Sequence, residues 1–192
     1  MQSFFDDALF MARECLLQSD VSLPHFLSLC SLLGNVYREI LPYAVSYVLL
    51  KDLENGVRVV REEYHACSLL TARELVRHQA TIEPGREACR KANRNGTKSL
   101  LWLQRTCQFM YLLLSGLRDG KTSQEACRLA YDLVLRPYHK WSTQKVASLA
   151  LSTSLSFDVS AIDAEVVLAL GKVSSELHNV LREYDVVFEE KM

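Results

Sequence analysis

Glycine and proline are scarce in this chain, seven and four in 192 residues. That scarcity argues against a turn-rich β-fold and for long helices. No stretch approaches the roughly 18 uncharged apolar residues that a bilayer-spanning helix needs, so any meeting with a membrane is expected at its surface. The segment Met1-Gln2-Ser3-Phe4-Phe5-Asp6-Asp7 has no basic region and carries acids early, which argues against a secretory signal. The six cysteines (Cys15, Cys30, Cys67, Cys89, Cys107, Cys127) include no CxxC pair. They read as reduced, buried fillers of a cytoplasmic protein rather than a disulfide framework. A net charge of −1 gives no global attraction to nucleic acid or an anionic bilayer; a local basic patch stays open.

Catalytic signatures are missing too. There is no Gly-rich phosphate loop, GxSxG elbow or HExxH pair. The five histidines (His25, His65, His78, His139, His178) do not pair with cysteine or with each other at metal-ligand spacing. A Cys–His or carboxylate pair assembled only in three dimensions is open to any chain of this composition. No motif calls for an enzyme, and no catalytic residue, metal ligand or cofactor is assigned.

What is present suits a folded domain. Hydrophobic residues make up 49% and charged ones 23%, too apolar for disorder. The length suits one core, and no repeat or low-complexity linker divides residues 1–192. Apolar residues recur with helical period. Helices are expected over residues 3–18, from 26 to 40 ahead of Pro42, and from 43 to 53, with a break or bend at Asn55-Gly56. Residues 64–82 read as one amphipathic helix with Leu69, Leu70, Leu75 and Val76 inward. Residues 97–117 are apolar on nearly all sides and belong inside a bundle. Thr122-Ser123-Gln124-Glu125 resembles a capping box opening a helix to about Leu135, and further helices cover 142–155 and 161–188. The basic stretch Arg86, Arg90, Lys91 and Arg94 is either a solvated face or an aid to docking on anionic headgroups.

Three residues stand out: Asp52 after an apolar run, Trp102 in the central helix, and His139 within Pro137-Tyr138-His139-Lys140-Trp141. Each has a plain structural explanation, respectively an exposed acid, a core indole, and a residue near a helix end.

Taken together they resemble the glycolipid transfer protein family. Leu100-Leu101-Trp102-Leu103-Gln104-Arg105 is similar to its LLWLKR segment. Ala130-Tyr131, Tyr138-His139-Lys140-Trp141 and Gln144-Lys145 match its AY…YHGW…QK stretch at the same spacing. Lys51-Asp52, with Tyr64 beyond, fits its upstream acidic helix. The resemblance spans about residues 25–150 and is densest over 97–145.

The resemblance implies an all-α, two-layer helical sandwich of about eight helices with a lipid-tail pocket between the layers. It implies a non-enzymatic carrier that binds one sphingolipid as ligand, makes transient contact with membrane surfaces, and works as a cytoplasmic monomer. Asp52 would accept from the sphingolipid amide N–H and headgroup hydroxyls, His139 would donate to the acyl-amide carbonyl, and Trp102 would lie flat against the first sugar. Lys140 and Trp141 match positions associated with membrane docking. Chemistry agrees with these roles. An amide moved from water into an apolar slot without partners costs about 1–3 kcal/mol per group, and an acceptor–donor pair offsets both losses. A glycerolipid, with esters and no amide N–H, would strand the acid.

The chain also departs from the family. Gly56 stands where glycolipid binders carry Asn and phosphate binders Lys, and Val59 where a Lys is usual. Asn55 and Arg58, next door, would substitute if the helix were shifted. Leu155 replaces a customary proline. Lys98, one turn before Trp102, corresponds to an arginine of ceramide-1-phosphate binders. Glycosphingolipid transfer is therefore the first expectation. Ceramide-1-phosphate transfer through Lys98 is the second, and a non-transferring lipid sensor or scaffold the third.

Overall fold

The computed structural model describes residues 2–16, 20–40, 43–82, 87, 91, 95–150 and 162–185. In chain order the helices are α1 (Gln2–Cys15), α2 (Leu23–Ile40), α3 (Tyr43–Cys67), α4 (Ala72–Ile82), α5 (Gly96–Arg118), α6 (Ser123–Val134), a 3-10 turn (Arg136–Tyr138), α7 (Trp141–Ala150) and α8 (Ala164–Glu183). The only β-feature among the described residues is one bridge between Ser22 and Thr71. This is the all-α architecture expected.

Helix α5 is the centre, packing against α2, α3, α4, α6 and α8. Its Leu100, Leu101, Leu103, Cys107, Phe109, Met110, Leu113 and Leu114 are all buried, as a helix apolar around its circumference must be. Helix α1 lies on α2 and α8, and α3 joins α2 to α5. Along α8 the stripe Val166, Leu170, Val173, Leu177 and Leu181 is buried as expected. Between α5 and α8, Gln104 Nε2 donates to the Ser174 hydroxyl at 3.0 Å and lies 3.3 Å from its carbonyl oxygen, which satisfies a buried amide.

Two boundaries differ from the sequence reading. The chain does not break at Asn55-Gly56, because α3 runs straight through it. A Cβ on Gly56 would stand 3.2 Å from Leu103 Cδ2. The glycine costs the helix about 1 kcal/mol relative to alanine, and in return lets α3 and α5 approach closely. The expected single helix over 64–82 is interrupted. Helix α3 ends at Cys67, Ser68 takes a left-handed φ of 54°, and Thr71 bridges to Ser22. The Leu23 N–H donates to the Leu70 carbonyl at 2.9 Å, and the Ala72 N–H to the Val21 carbonyl at 2.8 Å. The Glu74 carboxylate accepts from Leu70 and Thr71. Leu75 and Val76 are buried and Leu69 half-buried as expected, but the interruption turns Leu70 outward, 58% exposed.

The cysteines divide. Cys15, Cys30, Cys107 and Cys127 are buried, and burial pushes the thiols of Cys15 and Cys127 up to about 12, so these are inert fillers. Cys67 departs from that expectation. It is exposed where α3 ends and the chain turns outward, with Sγ 3.3 Å from His78 Nε2. Cys89, Arg86, Arg90, Arg94 and Leu155 lie outside the described residues, as do the expected helix ends at 17–18, 151–155, 161 and 186–188.

Past α5 the chain turns at Gly120, whose φ of +81° suits a residue without a side chain. The capping box then opens α6 as read. Thr122 Oγ1 accepts from the Glu125 N–H at 3.2 Å, while the Glu125 carboxylate accepts from the Thr122 N–H at 3.0 Å. Thr122→Ala should lower stability by about 1 kcal/mol, seen as a lower urea midpoint with an unchanged slope. An unmoved midpoint would show that the box does not support α6.

Candidate functional site

A cleft of about 230 Å³ opens between α3 and α5, lined also by Tyr37 of α2 and by His139 after the 3-10 turn. Helix α3 supplies Asp52, Asn55, Gly56 and Val59; α5 supplies Lys98, Ser99, Trp102, Leu103 and Thr106. Within each set the residues recur at steps of three and four, as in 52, 55, 59 and 98, 102, 106, which places them on one helical face. Five of the expected site residues therefore meet here: Asp52, Asn55, Lys98, Trp102 and His139. Arg58 does not line the cleft. Six residues on from Asp52 it points about 240° around the helix, where its guanidinium donates to Asn55 Oδ1 at 2.5 Å and to Glu62 at 3.0 Å. Lys140 and Trp141 are exposed beyond the turn, Trp141 by 69%. The Lys145 ammonium lies 3.8 Å above the centre of the Trp141 ring.

His139 is the most constrained of these groups. Its ring is buried and runs nearly parallel to the Trp102 indole, 11° apart with centres 5.9 Å apart. Its Nδ1 is 3.3 Å from the Tyr131 hydroxyl. The Gln144 amide donates to the carbonyls of both Arg136 and His139, each at 2.8 Å, pinning the turn that carries the ring. Arg105, also buried, lies over the Tyr138 ring at 3.4 Å and 4.9 Å from the centre of Trp102, a cation–π arrangement. Tyr131, Gln144 and Arg105 sit inside the segments that carry the resemblance, yet no local pattern there marks them for a role.

Electrostatics separate two of the polar groups that line the cleft, His139 and Asp52. Burial, and then the Arg105 charge, lower the pKa of His139, so the imidazole is neutral near pH 7. Burial raises the pKa of Asp52, offset in part by Lys51. Of the residues lining the cleft, Asp52 and Lys98 carry full charges, one of each sign. The cleft itself falls below the roughly 300–1,000 Å³ usual for a small-molecule pocket, a size that suits a headgroup rather than two acyl chains.

The described residues form an all-helical bundle with a polar-lined cleft beside an apolar core. The chain belongs to the glycolipid transfer protein family, whose model matches residues 21–156. Among curated relatives, the rat pleckstrin homology domain-containing family A member 8 is 27% identical over 148 residues, 76% of this chain. The chain spans about a quarter of that relative's length, 27%. Xenopus laevis glycolipid transfer protein B is 36% identical over 62 residues, covering 29% of this chain and 30% of that one. Among solved structures, FAPP2, described as selecting simple glycosphingolipids with this fold, superposes with a TM-score of 0.80 at 21% identity, covering 92% of each chain. Mouse ceramide-1-phosphate transfer protein without ligand gives 0.80 at 17% identity, over 96% of this chain and 98% of that one. At such identities these structures establish the fold.

The lowered pKa of His139 has a sign. The unfolded chain takes up a proton at about pH 6.5 that the folded chain resists, so stability is lost as pH falls below that value. His178, lowered chiefly by its own burial, acts in the same direction. Thermal melts from pH 7 to pH 5 should show a falling Tm, and His139→Gln should flatten that fall. An equal slope in the variant would remove His139 as a source.

Proposed function

We propose that this chain is a non-enzymatic carrier that holds one sphingolipid and moves it between membranes, with a glycosphingolipid as the favoured cargo. The observation that carries the reading is the shared cleft of Asp52, Trp102 and His139. A carboxylate and a neutral imidazole supply an acceptor and a donor for one amide, and the indole supplies a flat apolar wall for the C–H face of a sugar. Membership of the family supports the carrier role.

The charge balance favours a neutral headgroup. A phosphate monoester brings about 1.5–2 negative charges and is held best by several cations, whereas the lining residues include one lysine, Lys98, and one acid, Asp52. The second reading, ceramide-1-phosphate, rests on Lys98 one turn from Trp102. Val59 in place of a lysine weakens it. Asn55, tethered to Arg58, would add an amide contact to headgroup hydroxyls where Gly56 offers no side chain. A non-transferring sensor that keeps the fold is the third reading, motivated by Gly56 and Val59.

Transfer would begin with Trp141 and Lys140 against the cytoplasmic surface of a membrane, an indole and an ammonium both suited to the interface. The headgroup enters the cleft and the tails part the helices below. Tail burial is worth about 0.8 kcal/mol per methylene against water and close to nothing against a bilayer, so the loaded lipid can leave again.

Vesicle-to-vesicle transfer of glucosylceramide, ceramide-1-phosphate and phosphatidylcholine tests this reading. Glucosylceramide should move fastest, with Trp102→Ala and Asp52→Asn each slowing it roughly tenfold, the loss of about 1.4 kcal/mol. Lys98→Ala should leave it within about twofold. Selective damage to ceramide-1-phosphate transfer by Lys98→Ala, with Trp102→Ala harmless, would transfer the assignment to the phosphate lipid. Movement of none of the three would leave the sensor.

A further inference from the structure

The His139 ring has two nitrogens, and only one can face a ligand. Nδ1 is already engaged, 3.3 Å from the Tyr131 hydroxyl. The imidazole is neutral and carries a single proton, so its value as a donor depends on which nitrogen holds it. We propose that Tyr131 is a positioning residue: its hydroxyl donates to Nδ1 of His139, fixing the proton on Nε2 and so making the imidazole a standing donor toward the cleft. The proposal deepens the carrier reading and rests on it for its consequence in transfer.

Three features support it. Tyr131 is buried on the inner face of α6, eight residues before His139, and its ring meets the imidazole at 46° with centres 5.7 Å apart. Packing of this kind fixes where the hydroxyl points. Burial also pushes the phenol up to about 12, so it keeps its proton and remains able to donate across the neutral range. The opposite arrangement, Nδ1–H donating to the phenol oxygen, would leave Nε2 as an acceptor facing the cleft beside the Asp52 carboxylate. Two acceptors would then serve an amide that offers one N–H and one carbonyl, and the carbonyl would stay unsatisfied. Stacking on Trp102 and the Gln144 clamp on the backbone leave the ring little freedom to exchange its nitrogens by flipping.

The groups that face this imidazole come from three elements: Trp102 and Arg105 from α5, Tyr131 from α6, and the backbone of its own turn. Burial, with the Arg105 charge adding to it, keeps the ring from taking a second proton, which would erase the distinction between the nitrogens. Tyr131 breaks the tie between them. The resulting division of labour makes α6, which contributes no residue to the cleft lining, a determinant of how the cleft reads its ligand.

The experiment is Tyr131→Phe, which keeps the ring and removes the hydroxyl. Long-range ¹H–¹⁵N spectra of the ligand-free protein at pH 7.5 report the tautomer directly. The wild-type chain should show His139 protonated at Nε2 with Nδ1 as a hydrogen-bonded acceptor. In the variant the Nδ1 resonance should move off its hydrogen-bonded position, and glucosylceramide transfer should fall about three- to tenfold, as for loss of one buried hydrogen bond, with Tm changed by only a few degrees. A wild-type ring protonated at Nδ1, or an Nδ1 signal unmoved in the variant, overturns the assignment. Full transfer by a variant whose Nδ1 signal has moved overturns its functional half. Wild-type protein that moves no sphingolipid sinks the carrier reading instead, while the nitrogen spectrum still decides the tautomer.

Discussion

A polar group that leaves water must find a partner, and the space between α3 and α5 is organised around that requirement. Burying one unpaired amide group costs more than most single contacts in a fold contribute. A slot that admits a lipid therefore needs few polar groups, each fixed in place and of known sense. Asp52 and His139 meet this need as an acid that only accepts when ionised and an imidazole held neutral by burial and by Arg105. Leu49, Leu53, Leu103 and Leu135 supply apolar wall between the polar side chains of the lining. On the proposed reading, selectivity against ester lipids would follow from what is left unsatisfied rather than from any added attraction.

The rigidity of His139 is assembled from parts of the chain that touch little of the cleft. Gln144 of α7 holds the backbone of the turn, Trp102 covers one direction of approach to the ring, and Tyr131 holds one nitrogen. Orientation on this scale cannot come from a loop alone, because a 3-10 turn of three residues has too few internal bonds to fix a side chain. It comes from the helices on either side of it, which are anchored to the core through α5 and α3.

Most of the fold was legible because the signals are local. Scarce glycine and proline, the period of the apolar residues and the Thr122–Glu125 box each report on a few neighbouring positions. The two misread boundaries have distant causes. Nothing near Thr71 announces its bridge to Ser22, and Gly56 looks like a breaker until Leu103 is seen against it. The site shows the same division. Asp52, Lys98, Trp102 and His139 could be picked out by resemblance, and helical spacing put Asn55 on their face. Arg58 could be excluded only by knowing that α3 passes unbroken through Gly56, with no shift to bring it round. Tyr131 and Arg105 gain their meaning from the approach of a turn to two helices, which no window of sequence contains.

The absence of a side chain at Gly56 also shapes how the molecule can open. Leu103 packs close to the α3 backbone there, so part of the cleft wall is a direct contact between two helices. In a carrier such a contact would serve as the spine of a book: entering tails would swing other leaves aside while the headgroup end kept its geometry.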